Sequence, residues 1–210
     1  MRALDALRHN RGMSIPRLET ERLIMRGFRA ADRQSFAAMN GDPEVMTFMS
    51  RSLDRSASDL FLARIQDQWL ANGFGLWALE RRADGAFLGF AGLSAPSFNA
   101  PFTPAVEVGW RLARTAWGHG YATEAGAAAI EYGFEVLGLT AIVSFTAVGN
   151  ARSRRVMDRL GMSHDSADDF DYPLVSPGHL VRHQVLYRLS SSTWRKRQDH
   201  NDSPHAVKPP

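Results

Sequence analysis

The sequence predicts an α/β fold, with one mixed, mostly antiparallel central sheet and helices on both faces. Three observations carry this prediction. Read by periodicity, the elements run β-α-α-β-β-β-α-β-α-β. The three central strands follow one another closely enough to pair as hairpins. After them, helices and strands alternate singly, the pattern that returns the chain to the same sheet from its faces.

The elements follow in order. Arg22 to Phe28 reads as the first strand, and Asp32 stands where it can cap a helix that runs to Met39, with Phe36 and Met39 on one face. Asp42-Pro43 starts a short helical turn, since proline suits a first helical position. Ser56 to Leu70 is an amphipathic helix. Phe74 to Arg81 and Phe87 to Leu93 are strands joined by the turn Ala83-Asp84-Gly85-Ala86. From Ala105 to Leu112 the pattern has a period of two: Val106, Val108, Trp110 and Leu112 share one face, and Glu107, Gly109 and Arg111 share the other. Tyr121 to Leu137 is helical with Ile130, Phe134 and Leu137 in one stripe, and Ile142 to Thr146 is a buried strand. Asn150 to Leu160 is a helix closed by Gly161, and Val181 to Leu189 is the last strand.

A length of 210 residues with 44% hydrophobic content suits a single core. The expected domain covers residues 18–190, after an N-terminal extension of residues 1–17. Residues 191–210 are polar and offer little to bury after Trp194, so they are expected to be a disordered tail. The formal charge is +3, but the extension alone carries +3 and the tail +2, which leaves the body at −2. A nucleic-acid binder concentrates basic charge on its folded face, so this distribution excludes that class. The chain has no cysteine, which excludes disulfides, thiolate metal sites and a cysteine nucleophile. His119, His164, His179 and His183 lack metal-ligand spacing, so no metal is expected. No apolar run approaches the roughly 20 residues of a membrane helix. Residues 1–17 also lack the apolar centre of a signal peptide, and the expected location is the cytoplasm.

The strongest chemical signal is Thr115-Ala116-Trp117-Gly118-His119-Gly120-Tyr121-Ala122, between a strand and a helix. Its two glycines allow a tight turn and close approach of a ligand. The helix that follows presents free N–H groups and the positive end of its dipole, which together suit a pyrophosphate. An ordinary strand-to-helix turn has the same form, so the motif needs its context.

That context is a resemblance. Val106-Glu107-Val108-Gly109-Trp110-Arg111-Leu112 followed by Trp117-Gly118-His119-Gly120-Tyr121-Ala122-Thr123-Glu124-Ala125 resembles the GNAT superfamily of acetyltransferases. Asn150 to Met157, closing with Leu160-Gly161-Met162, is similar to that superfamily's second cofactor motif. Leu18 to Leu23 and Asp42 to Met46 resemble the branch that includes ribosomal-protein N-terminal acetyltransferases. The resemblance spans about residues 17–190. It departs at Thr115, where the superfamily usually has Gln or Arg three residues before the first glycine; Arg114 is displaced by one.

The resemblance implies two neighbouring parallel strands that splay apart to admit the pantetheine arm of acetyl-CoA. Backbone groups of Val108 and Trp110 would bond the arm, and those of Trp117, Gly118, His119, Gly120, Tyr121 and Ala122 would hold the pyrophosphate. Arg114 or Arg154 would meet the ribose phosphate. Glu107, opposite the apolar face of its strand, is the candidate base that deprotonates the amine; a surface glutamate or a partner for Arg111 is the alternative. Asn150 is a good helix N-cap, and its family match bonds the pantetheine arm. Ser153 is the candidate donor to the departing thiolate, against a plain helix-surface serine, with Tyr187 and Tyr172 as rivals. The acidic, aromatic stretch Asp168 to Pro173 is either a solvated loop or part of the acceptor pocket. The expected partner is an amine acceptor, a protein N-terminus or a small molecule, and related proteins are monomers or homodimers. The reading from another class is a non-catalytic acyl-CoA-binding module, against which the retained Glu107 and Ser153 stand.

Overall fold

The structure, a computed structural model, describes residues 15–202. Strands β1 (Leu18–Glu19) and β2 (Leu23–Arg26) form one edge of the sheet. Helices α1 (Asp32–Gly41) and α2 (Arg55–Asn72) follow, and α2 is capped by Asp54, whose carboxylate accepts from the Ala57 N–H. Strands β3 (Leu76–Arg81), β4 (Phe87–Ser94) and β5 (Glu107–Leu112) extend the sheet antiparallel from β2. Helix α3 (Tyr121–Glu131) runs into a π-turn at Tyr132–Val136. Strand β6 (Ala141–Ala147), helix α4 (Ala151–Leu160), and strands β7 (Ser163–His164), β8 (Phe170–Asp171) and β9 (His183–Ser190) lead to helix α5 (Ser191–Asp202). The sheet order is β1-β2-β3-β4-β5-β6-β9-β7, with β8 also on β9. The expected α/β class and the mixed, mostly antiparallel sheet are both observed.

One junction differs from the rest. β4 and β5 pair continuously from Gly89 opposite Leu112 to Ser94 opposite Glu107. β5 and β6 are parallel and meet at the single register pair Glu107 with Val143. The Val143 N–H donates to the Val106 carbonyl at 2.9 Å. Beyond that point the strands part, and the gap opens toward their C-terminal ends, where the chain turns into α3 and α4.

The core lies on both sides of the sheet. On one side the rings of Phe36 in α1, Phe61 in α2 and Phe90 in β4 lie 5.7–5.9 Å apart. On the other, Ile130, Phe134 and Ile142 are almost fully buried. Beneath α1, the buried Arg26 is neutralised by Asp32 at 2.7 Å and Glu80 at 2.7 Å. This corrects the expected role of Asp32. Ala31 occupies the N-cap of α1, and the Asp32 carboxylate serves Arg26 and the Arg29 N–H instead. Residues 43–48 form turns rather than a helix, and the α-helix from Tyr121 ends at Glu131 where the π-turn takes over.

The chain ends need a further correction. Residues 1–14 of the extension lie outside the described residues, but Trp77 Nε1 donates to the Pro16 carbonyl at 2.7 Å, which ties residue 16 to the core. Residues Ser191–Asp202, expected to be disordered, form α5. The reason is Trp194, which packs on the core with its ring 5.5 Å from Phe134. One large apolar ring anchors an otherwise polar helix, and average composition does not register a single anchor. Trp194→Ala is expected to lower stability by about 2 kcal/mol, below the range for a fully buried large aromatic because the site is only partly buried. That corresponds to a fall in Tm of roughly 4–8 °C, and calorimetry of the purified variant checks it.

Candidate active site

The site lies where β5 and β6 separate. Along a strand, the N–H and C=O of alternate residues point to the same edge. The Val106 carbonyl faces β6, so the backbone groups of Val108 and Trp110 face the same way, into the gap. Their side chains turn to the α3 side: Val108 is fully buried, and Trp110 lies 3.7 Å from where a Cβ on Gly126 of α3 would stand.

At the mouth of the gap, a short 3₁₀ turn at Arg114–Ala116 leads into the glycine turn. Gly118 and Gly120 both have φ of 81°, a left-handed conformation that explains why glycine occupies both. Gly120 is the N-cap of α3 and has no side chain to satisfy the first N–H groups of the helix. Among the described residues, the N–H groups of Gly118, His119 and Gly120 have no backbone acceptor, whereas the Trp117 N–H donates to the Arg114 carbonyl at 3.1 Å. A row of unpaired N–H groups at a helix N-terminus fits an anionic phosphate. Trp117 is the exception among the predicted backbone donors; its indole also donates to the Leu112 carbonyl, and Arg152 lies over its ring at 4.3 Å.

The turn is braced from the connection between β1 and β2. Glu124, in the first turn of α3, accepts from Thr20 Oγ1 at 2.6 Å, from the Arg22 N–H at 2.8 Å and from Arg22 Nε at 2.7 Å. Arg22 also donates to the His119 carbonyl at 2.9 Å and lies over the Tyr121 ring at 5.0 Å. The fixed shape of the turn therefore depends on a contact over a hundred residues long in sequence, which motif spacing does not reveal.

Across the gap, Asn150 caps α4. Its Oδ1 accepts from the Ser153 N–H, and its Nδ2 donates to both Thr146 Oγ1 and Ser153 Oγ. Both amide donors are thus engaged inside the chain, leaving Asn150 only acceptor capacity toward a ligand. Ser153 Oγ accepts from Asn150, which leaves its own O–H to donate elsewhere. Arg114 is paired with Glu44 at the surface. Among the described residues Arg154 makes only long hydrogen bonds, 3.5 Å to Tyr187 Oη and 3.4 Å to the Val148 carbonyl, and is the freer of the two arginines to meet a phosphate.

Glu107 stands on the other face of β5. Ser94 Oγ donates to its carboxyl at 3.2 Å, and Arg111 makes no ion pair with it among the described residues. Burial pushes the Glu107 carboxyl up to about 8, and the Ser94 hydrogen bond only partly opposes this. Tyr172 is raised too, first by its own burial and then by the Glu107 charge, so the two share one enclosure. Phe98 and Phe145 pack against Tyr172, and Phe102 and Phe170 pack behind them to complete an aromatic wall. The acidic residues of that loop are tied down locally: Asp168 to Arg188, Asp169 to His164, and Asp171 to Arg182 and His183. The loop therefore brings aromatic surface to the site rather than free carboxylates. Tyr187 is buried, and its hydroxyl accepts from Arg154.

The chain is similar to known proteins in sequence and in fold. Residues 22–163 match the acetyltransferase (GNAT) domain family. The chain is 30% identical over 149 residues to the uncharacterised protein YkkB of Bacillus subtilis, covering 70% of this chain and 86% of that protein. It is 29% identical over 193 residues to FsC-acetyl coenzyme A-N(2)-transacetylase of Aspergillus fumigatus, covering 87% and 80%. Among solved structures, an acetyltransferase from Agrobacterium tumefaciens superposes with a TM-score of 0.69 at 27% identity, covering 87% of this chain and 99% of that one.

A phosphate seat at the glycine turn predicts that CoA at a hundredfold excess over its Kd stabilises the protein by about 2.7 kcal/mol. Gly120→Val strains a left-handed position, costing about 1–3 kcal/mol without ligand, and should abolish the CoA-dependent rise in Tm. Thermal melts of both proteins with and without CoA check this; an unshifted native protein would contradict the seat.

Proposed function

The chain belongs to the acetyltransferase (GNAT) domain family, and on that premise we propose that it is an acetyl-CoA-dependent N-acetyltransferase in which a primary amine attacks directly and Glu107 receives its proton. One coincidence carries the reading. The strand whose backbone faces the open gap also carries, on its other face, a half-buried, desolvated carboxyl with no cation beside it among the described residues.

Bound acetyl-CoA supplies a thioester whose carbonyl carbon accepts the amine. The chain's residues do the rest. The N–H groups of Gly118, His119, Gly120, Tyr121 and Ala122 hold the pyrophosphate at the positive end of α3. The backbone groups of Val108 and Trp110 orient the arm along β5. Arg154 meets the ribose phosphate. Glu107 takes the proton from the incoming ammonium; a base with a pKa near the working pH combines availability with driving force. Ser153, held by Asn150, donates its O–H toward the departing sulfur. The aromatic wall beside Tyr172 keeps water from the attacking nitrogen.

The acceptor is a protein N-terminus or a small molecule. The resemblance of Leu18 to Leu23 and Asp42 to Met46 to ribosomal-protein N-terminal acetyltransferases supports the former. The name of the Aspergillus relative, an N(2)-transacetylase, supports a nitrogen acceptor.

The pH dependence follows from the raised carboxyl. Glu107 must be ionised to act, so log kcat should climb with unit slope to about pH 8 and then level. Glu107→Gln should keep CoA affinity and lose about 10²- to 10⁴-fold in kcat. High pH should partly restore it, because more of the amine is already neutral. Stability should move oppositely. A carboxyl raised from 4.5 to about 8 stabilises the fold fully below pH 4.5 and loses that contribution as pH rises through 8. The Gln variant should therefore gain on the native protein across that window. Rate and melting profiles of both proteins with a panel of amines check this; equal rates at every pH would contradict the role of Glu107.

A further inference from the structure

Arg111 is a half-buried cation without an anion among the described residues. Its Nε is sealed from solvent and has no hydrogen-bond partner, and no carboxylate lies within ion-pair distance among the described residues. Burial alone shifts its guanidinium, lowering it to about 10, so it remains charged near neutral pH. What surrounds it is uncharged. Nη1 donates to Asn40 Oδ1 at 2.7 Å, Nη2 contacts Met49 Sδ at 3.2 Å, and the rings of Phe61 and Phe90 lie 5.4 and 5.3 Å away. Cation–π contacts offset part of the desolvation but supply no counter-charge.

The contrast with Arg26 is informative. That arginine is buried in the same layer and has two carboxylates. At Arg111 the corresponding shelf is an amide. Asn40 is completely buried, and its Nδ2 donates to the equally buried Ser58 Oγ at 2.9 Å, which fixes its oxygen toward Arg111. An aspartate of the same shape would neutralise the arginine, yet the position holds asparagine.

Glu107, Gly109 and Arg111 share one face of β5. A Cβ placed on Gly109 would meet only the Glu107 carboxyl, at 3.5 Å, so the floor between acid and arginine is open and Glu107 leans over it. We propose that Arg111 binds an anionic group of the acceptor, so that the acceptor is a primary amine carrying a carboxylate several bonds away. Glu107 takes the amine end, and Arg111 the carboxylate end. Glu107 reaches over Gly109, two strand residues from Arg111, which sets the two charges roughly 7 Å apart along the strand. The amine end of this proposal rests on the acetyl-transfer reading; the carboxylate end rests on Arg111 alone.

The test is equilibrium binding to the CoA-loaded protein by calorimetry, with 5-aminopentanoate, 6-aminohexanoate, their carboxamides and glycine as probes. The native protein should bind at least one of the two longer acids ten times or more tighter than its carboxamide, and glycine more weakly than either acid. Arg111→Met should reduce that ratio to near one while carboxamide binding stays. Asn40→Asp keeps the arginine but supplies an internal anion, and it should also shrink the ratio. Equal binding of acid and amide by the native protein, no binding of any probe, or an undiminished preference in Asn40→Asp would overturn the proposal. Acetyl transfer measured in parallel separates the two readings. A carboxylate preference without turnover would count against acetyl transfer and leave the Arg111 site standing.

Discussion

The parallel junction of β5 with β6 is the constraint on which the rest of the site depends. Every other long junction of the sheet is an antiparallel ladder, broken only by a register shift at Leu79/Glu80 between β3 and β4, and pairs its backbone groups along most of its length. At this one the strands touch at Glu107 and Val143 and then diverge. Unpaired backbone groups at a protected edge are costly unless something pairs with them. An extended ligand arm that hydrogen-bonds like a strand resolves that cost. Both helices that begin at the open end follow from it, since α3 turns off the end of β5 and α4 off the end of β6, each with its N-terminus at the mouth.

The two faces of β5 divide the work. Val108 and Trp110 turn their side chains to the α3 layer and their backbone to the gap, so the cofactor contacts proposed for them need no particular side chain. Glu107 and Arg111 lie on the opposite face, under α1, α2 and the aromatic wall, where a lowered dielectric strengthens every charge. Glu107 is shifted toward neutrality by that environment, and Arg111 remains charged without a counterion. Rigid strand geometry holds both, which is the arrangement a precise site requires.

Much of this was legible in residue patterns. The period of two from Val106 to Leu112 correctly separated the buried face from the polar one, and the glycines at 118 and 120 occupy left-handed positions that only glycine adopts easily. What escaped was tertiary. The polar face of β5 reads as solvent-facing in one dimension, and nothing local shows that Asn40, Phe61 and Met49 cover Arg111. Asp168, Asp169 and Asp171 look like free charges until β7, β9 and the loop entering β9 deliver His164, His183, Arg188 and Arg182 to them. Asp32 sits at a capping position but answers Arg26 of β2. β7 and β8, two residues each, are too short for any periodicity to register, and α5 depends on the single ring of Trp194.

Hydrogen exchange on the native protein, with and without saturating CoA, tests the central claim most directly. If the splayed junction is the cofactor cleft, protection should rise in the peptides covering Val108 to Trp110 and Gly118 to Thr123, with β3, α2 and the β6–β9 ladder unchanged. CoA that binds but leaves the amides of β5 and the glycine turn exchanging as before would contradict it.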